Sequence, residues 1–237
     1  MKEFQWCGYN WITQERWGEI HPEKSHWWYD SSQVEIGETL KLKTDLNPKF
    51  FRELNLTSNI GVGLVSCTNE FSYGTFEIEA KLPTGLNLWP AFWMYSWYSW
   101  PPEIDILEGY SDNSPRFITR RGFFNFINPQ YDVQTNLHYR ENDINKYIGG
   151  QRTNLRKDVT RNFIKYKCDW QKDYIRFYYD DILVREILDK DILSKFDGHK
   201  MNVIINNGVT SFVNKNNPPK STFEIKYFSY KKESPTI

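Results

Sequence analysis

The chain of 237 residues predicts an all-β protein, a sandwich or barrel built from many short strands. Three observations carry this. Apolar and polar residues alternate with period two in segments from end to end, the mark of strands with one face buried. Gly, Pro and Asn punctuate those segments at short intervals. Helical patterning is sparse, and only Asp189 to Phe196 reads as about two turns.

The elements follow in order. Thr39 to Lys43 sets Leu40 and Leu42 against Thr39, Lys41 and Lys43. Gly74 to Leu82 is the clearest strand, with Phe76, Ile78, Ala80 and Leu82 on one side and Thr75, Glu77, Glu79 and Lys81 on the other. Tyr174 to Tyr179 groups Ile175, Phe177 and Tyr179. Asp180-Asp181 then turns the chain into Ile182 to Ile187, since Asp tolerates left-handed backbone better than most residues. Met201 to Asn206 and Thr222 to Tyr230 close the pattern. Ser111 to Asn136 reads as a long excursion, and long loops in compact domains carry function or disorder. Lys231 to Ile237 reads as a frayed tail. With no repeat, low-complexity tract or linker, residues 1–237 read as one domain.

Composition narrows the function. Aromatic residues make up 17%, enough for a sugar-binding surface as well as a core. Lys+Arg and Asp+Glu are 30 each, so no net field recruits nucleic acid or an anionic membrane. A neutral polysaccharide fits this balance better than a densely sulfated one. No apolar run reaches the roughly 18 residues of a membrane helix. Cys7, Cys67 and Cys168 are an odd number without metal-site spacing, and no disulfide is expected. Cys168 alternates with Tyr166 and Trp170, which predicts a buried thiol.

The chemistry concentrates in Pro101-Pro102-Glu103-Ile104-Asp105-Ile106-Leu107-Glu108. On a strand, Glu103 and Asp105 share a face, whereas Glu108 has the wrong parity. One β-bulge at Ile106-Leu107 would bring all three acids to one surface. The Cα atoms of Glu103 and Glu108 would then stand about four strand steps, roughly 13 Å, apart, and their side chains could lean together. Cleaving a glycosidic bond with retention needs a carboxylate nucleophile and a carboxylic acid roughly 5–5.5 Å apart. Crowding pushes carboxyl pKa values apart, so one can be ionised while another keeps its proton. Asp105 can share a proton with the nucleophile. Trp89, Trp93, Trp97 and Trp100 lie just upstream, and indoles stack on the apolar faces of sugars.

Glu103-Ile104-Asp105-Ile106-Leu107-Glu108 resembles the bulged ExDxxE signature of glycoside hydrolase family 16. Phe71 to Pro83 and Leu88 to Met94 are similar to the two strands that precede that signature. Phe163 to Val184 resembles a later hairpin. The likeness extends from Trp27 to Tyr230. It implies a β-sandwich jelly-roll with a concave substrate cleft, retaining endo-β-glycanase activity, and neither a cofactor nor a catalytic metal. It assigns Glu103 as nucleophile, Asp105 as its assistant and Glu108 as acid/base. The chain departs from the family in a Pro pair before Glu103, in Asn206-Asn207-Gly208-Val209, and in the loop after the acids.

The substrate-binding candidates are Trp89, Trp93, Trp97, His138, Asn206, Arg116 and Arg120. Parity gives Trp89, Trp93 and Trp97 one face if the strand stays regular. Trp100, before two prolines, reads as fixing the turn into the catalytic strand. The resemblance sets His138 near the acid/base. Arg116, Arg120 and Arg121 sit among phenylalanines in the long loop, where guanidinium forks could read charged or hydroxyl-rich sugars. The expected partner is a polysaccharide acted on by a monomer, a β-1,3-glucan first. The alternatives are a galactan such as agarose, porphyran or a mucin-type glycan, transglycosylation, and glycan binding or adhesion without catalysis. The expected setting is extracellular, cell-surface or periplasmic. Met1 to Cys7 shows no apolar leader, so a removed signal, cell lysis or a phage particle would bring the enzyme to its substrate.

Overall fold

The computed structural model describes residues 1–21, 26–85, 87–109, 132–155 and 157–232. Its first strands are β1 (Glu3–Trp6), β2 (Tyr9–Ile12), β3 (Trp27–Tyr29), β4 (Val34–Ile36), β5 (Leu40–Phe51) and β6 (Leu56–Val62). Next come β7 (Leu64–Cys67), β8 (Gly74–Lys81), β9 (Leu88–Ser96), β10 (Ser99–Gly109), β11 (Asp132–Glu141) and β12 (Ile144–Asn154). The last are β13 (Ile164–Trp170), β14 (Ile175–Tyr179), β15 (Ile182–Ile187), the helix α1 (Lys190–Ser194), β16 (Asn202–Val209) and β17 (Ser221–Lys231).

The strands form two sheets of a β-sandwich. One runs β1-β2-β7-β16-β9-β10-β11-β12. The other runs β15-β14-β13-β8-β17-β5-β6-β3, with β4 paired to β5. Alternation decides which side chains meet between them. Leu40, Leu42, Phe76, Ile78, Ala80, Phe177 and Ile225 come from one sheet, and Phe92, Met94, Ile104, Val203 and Ile205 from the other. Cys168 lies fully buried between Tyr166 and Trp170, as the alternation predicts.

Local chemistry shapes the connections. Cys7-Gly8, Asn142-Asp143 and Asp180-Asp181 each have positive φ at both residues and join β1–β2, β11–β12 and β14–β15. Two-residue turns of this kind match the twist of the flanking strands. α1 is shorter than the predicted helix. Asp189 caps it, its side chain accepting from the amides of Asp191 and Ile192, and Leu193 buries against the core.

Two boundaries move. β11 begins at Asp132, so Val133 to Asn136 belong to a strand rather than to the predicted excursion. Val133 and Leu137 sit in the core, and that burial outweighs the polar look of the segment. β17 reaches Lys231, which pairs with Thr75 and so is not part of the frayed tail. Arg116, Arg120 and Arg121 lie outside the described residues.

Candidate active site

β10 pairs with β9 on one side and β11 on the other, and both pairings slip at the same place. Asp105 faces Trp93 and Asn136, whereas Glu108 faces Ala91 and Gln134. Between Asp105 and Glu108, β10 spends one residue more than either partner, which is the predicted bulge. Its effect shows in the burial. Ile104, Ile106 and Leu107 all sit in the intersheet core at 0% exposure. Two successive residues turn inward, and Glu103, Asp105 and Glu108 all emerge on the opposite face to line one cleft.

The bulge is held from behind. A bulge leaves backbone groups off the ladder, and a buried carbonyl without a donor is costly. Tyr179, on the other sheet, donates its hydroxyl to the Ile106 carbonyl at 3.0 Å. A second irregularity, in the pairing of β11 with β12, lies between Thr135 and Leu137. There Arg185 donates to the carbonyls of Thr135 at 2.7 Å and Ile148 at 3.2 Å. Burial lowers the Arg185 pKa. Two side chains of β14 and β15 thus cross the sandwich to brace the strands that carry the site.

The cleft encloses about 660 Å³. Trp89, Ala91, Trp93 and Tyr95 of β9 form its floor, with Asn206 and Gly208 of β16 beside them. Gln134 and His138 of β11 and Tyr147 of β12 line the other side. Arg16, Trp17 and His21, with Trp27 and Tyr29 of β3, line the far wall.

Each acid has its own surroundings. Glu103 accepts from the indole N–H of Trp100 at 2.6 Å. His138 Nε2 stands 3.6 Å from Glu103 Oε1 and 3.5 Å from Asp105 Oδ2. Burial, and next the neighbouring Asp105, push the Glu103 carboxyl well above the usual carboxylate range, against the pull of His138 and Trp100. Two carboxylates so close oppose each other's ionisation. Glu108 accepts from Trp89 Nε1 at 2.9 Å and from the side-chain amide of Asn136. The Tyr147 hydroxyl donates to that amide's oxygen at 3.0 Å. Glu103, Asp105 and His138 also offer ligand atoms within 4.8 Å of one another. A divalent ion held there would cover the very carboxylates that the chemistry needs.

A family model described as "Glycosyl hydrolases family 16" matches residues 22–227. The chain belongs to glycosyl hydrolases family 16. A beta-1,3-glucan-binding protein of Penaeus monodon is 33% identical over 123 residues, 48% of this chain and 31% of that protein. A beta-glucanase of Rhodothermus marinus is 34% identical over 123 residues, 48% of this chain and 37% of that protein. The matched stretch thus spans about a third of each relative. The solved structure of LamAcat from Zobellia galactanivorans superposes with a TM-score of 0.72 at 20% identity, covering 94% of this chain and 90% of that one. The fold is the family 16 jelly-roll.

Against this family 16 frame, the binding candidates separate. Trp89 and Trp93 line the cleft, each pinned by its indole N–H, Trp89 to Glu108 and Trp93 to Asn206 Oδ1 at 2.8 Å. Asn206 lines the cleft with its oxygen already engaged by Trp93. His138 faces Glu103 across the β10–β11 pair, on the Glu103 side of the site rather than beside Glu108. Trp97 is not among the lining residues. It follows the last residue of β9, where parity no longer applies, and packs against the apolar cluster of Trp27, Tyr29 and Tyr95. Trp100 moves the other way. It is 41% exposed, lines the cleft and bonds Glu103, so it does more than fix a turn.

Sequence reading missed the far wall and the supports of Glu108. Arg16, Trp17 and His21 belong to a segment without alternation, and the aromatic density of Trp17, Trp27, Trp28 and Tyr29 was its only signal. Gln134 and Asn136 were hidden by the strand boundary drawn too late.

Proposed function

We propose that this chain is an endo-acting, retaining β-glycanase that hydrolyses internal linkages of a β-1,3-glucan, as a monomer acting on extracellular or cell-surface polysaccharide. The observation that carries this reading is the bulge at Ile106-Leu107, which turns both residues into the core and gives Glu103, Asp105 and Glu108 a common aromatic cleft. The cleft draws on five neighbouring strands, β16 to β12. At about 4.8 Å between strands the floor is roughly 19 Å across, room for several sugar rings and hence for the interior of a chain.

In this mechanism ionised Glu103 attacks the anomeric carbon. The bond to the leaving oxygen breaks as Glu108 gives that oxygen its proton. Glu108, now ionised, takes a proton from water, whose oxygen attacks the same carbon and releases Glu103. Asp105 keeps the proton it shares with Glu103, which leaves the nucleophile charged. Trp89 and Asn136 each donate to Glu108 and fix where its carboxyl points.

The names of the two relatives support a β-glucan as substrate. One is named for binding alone, and a binding role would need no acid at positions 103 and 108. This chain has both. Replacing Glu103 or Glu108 by Gln tests the assignment. Each variant should fold and lose several orders of magnitude of activity, roughly the scale at which covalent and acid–base catalysis act together. Turnover like wild type in either variant would end the assignment. A panel of β-1,3-glucan, mixed-linkage glucan, agarose and porphyran reports the substrate, and cleavage of a galactan alone would replace the glucan reading.

A further inference from the structure

Glu15 is a fully buried carboxyl close to the cleft that the hydrolysis described above does not use. It lies at 0% exposure behind the cleft wall. A short turn fixes its backbone, with the Gly18 amide donating to the Glu15 carbonyl at 2.9 Å. Its Oε2 accepts the Tyr95 hydroxyl at 2.9 Å. The Tyr95 ring stacks on Trp93 with centroids 5.1 Å apart and planes 14° from parallel. Trp93 in turn faces Asp105, and Tyr95 faces Glu103, across the β9–β10 pair. A buried carboxyl is costly, and a Gln at this position would accept the Tyr95 hydroxyl without that cost. What the carboxyl adds is a charge beneath the acids.

We propose that Glu15 is a positioning residue for hydrolysis: from behind the cleft it anchors Tyr95 and, through the stacked rings, Trp93, while its charge bears on Glu103. This rests on the glycanase reading. Tyr95 of β9 bonds Glu15 and lies opposite Glu103 of β10, and the titratable or charged groups that act on Glu15 or respond to it are Tyr95, Glu103, Tyr29 of β3 and the neighbouring Arg16. Burial pushes Glu15 up to about 7, with Tyr95 and Arg16 opposing and Glu103 adding to the rise. Glu15 therefore gains its charge as pH rises through about 7. Once charged, it disfavours ionisation of Glu103, because like charges raise each other's pKa. The acid limb of the kcat/KM profile then reports Glu15 as well as Glu103.

The experiment compares wild type, Glu15→Gln and Tyr95→Phe on a soluble β-1,3-glucan across pH, with melting temperatures alongside. Glu15→Gln keeps the acceptor for Tyr95 and removes the charge. Its acid limb should move to lower pH by roughly half a unit or more, with KM near wild type. Tyr95→Phe keeps the stacked ring and cuts the link. It should raise KM and also lower the acid limb, because Glu15 loses the donor that favours its charged form. Acid limbs that superpose on wild type in both variants would reduce Glu15 to a packing role and overturn the proposal. A carboxyl 13C titration of Glu103 in wild type and Glu15→Gln needs no substrate. The same downward shift is expected there, and an unchanged Glu103 titration would overturn the coupling. Wild type that cleaves no glycan would defeat the glycanase reading, and the 13C titration would still decide the coupling.

Discussion

At the scale of residues, the site is a set of carboxyls told apart by what surrounds them. Glu103 is half-buried beside Asp105 and His138, Glu108 is gripped by two N–H donors, and Glu15 lies beneath them with the Tyr95 hydroxyl. The two raised carboxyls, Glu15 and Glu103, have a consequence for stability. A carboxyl raised from 4.5 to about 7 in the folded state holds its proton more tightly there than in the unfolded chain. That contribution is fully present below about pH 4.5 and is lost as pH rises through about 7, a change of about 3 kcal/mol for a rise of this size. Glu103, also raised, acts in the same direction. Glu15→Gln should remove the Glu15 part. In denaturant titrations, the stability of the variant relative to wild type should grow between pH 5 and pH 8, by an amount on the order of that figure. A difference that stays flat across this range would show that Glu15 titrates normally.

At the scale of elements, the bulged strand β10 does most to make a site out of a sheet. Period-two parity could be read from the sequence and so could its break, because three acids at positions 103, 105 and 108 meet on one face only if an extra residue is absorbed. What holds the bulge could not be read. Tyr179 lies 73 residues beyond Ile106 and Arg185 lies 50 residues beyond Thr135, in strands whose alternation marks them only as inward or outward. Their donors find backbone carbonyls that exist as orphans only once the ladders slip. The same limit explains the other misses. Trp97 and Trp100 lie where β9 ends and an irregular register begins, so parity could not decide between core and cleft. Gln134 and Asn136 look like loop residues until Val133 and Leu137 bury. Tyr179→Phe tests the brace. It leaves the Ile106 carbonyl without its donor and should cost about 1–3 kcal/mol of stability. If the carbonyl relaxes, the Glu103–Glu108 geometry loosens, and kcat should fall roughly ten- to hundredfold with KM little changed. A variant as active and stable as wild type would mean that the bulge is held by its own strand neighbours.

At the scale of the molecule, two sheets share the work. One presents the cleft, and the other supplies the opposing half of the core and the cross-sandwich donors that reach the bulge in β10 and the irregularity between β11 and β12. Strand alternation made the sandwich legible, because the core faces of β5, β8, β13 and β14 each follow a period of two, and β17 does so as far as Ile225, where its register slips. The far wall of the cleft was not legible. Its segment packs by aromatic contact rather than by a repeating pattern, as in the edge-on pairs Trp17–His21 and Trp27–Tyr29. If the bulge makes this sheet a retaining glycosidase, the first product carries the stereochemical record. The direct test is proton NMR of the first products from a β-1,3-glucan oligosaccharide, recorded before the reducing ends equilibrate. The β-anomer should appear first, because Glu103 and then water displace in turn at one carbon. If the α-anomer appears first, water attacks in a single step, Glu103 is not a nucleophile, and the account is wrong at its centre.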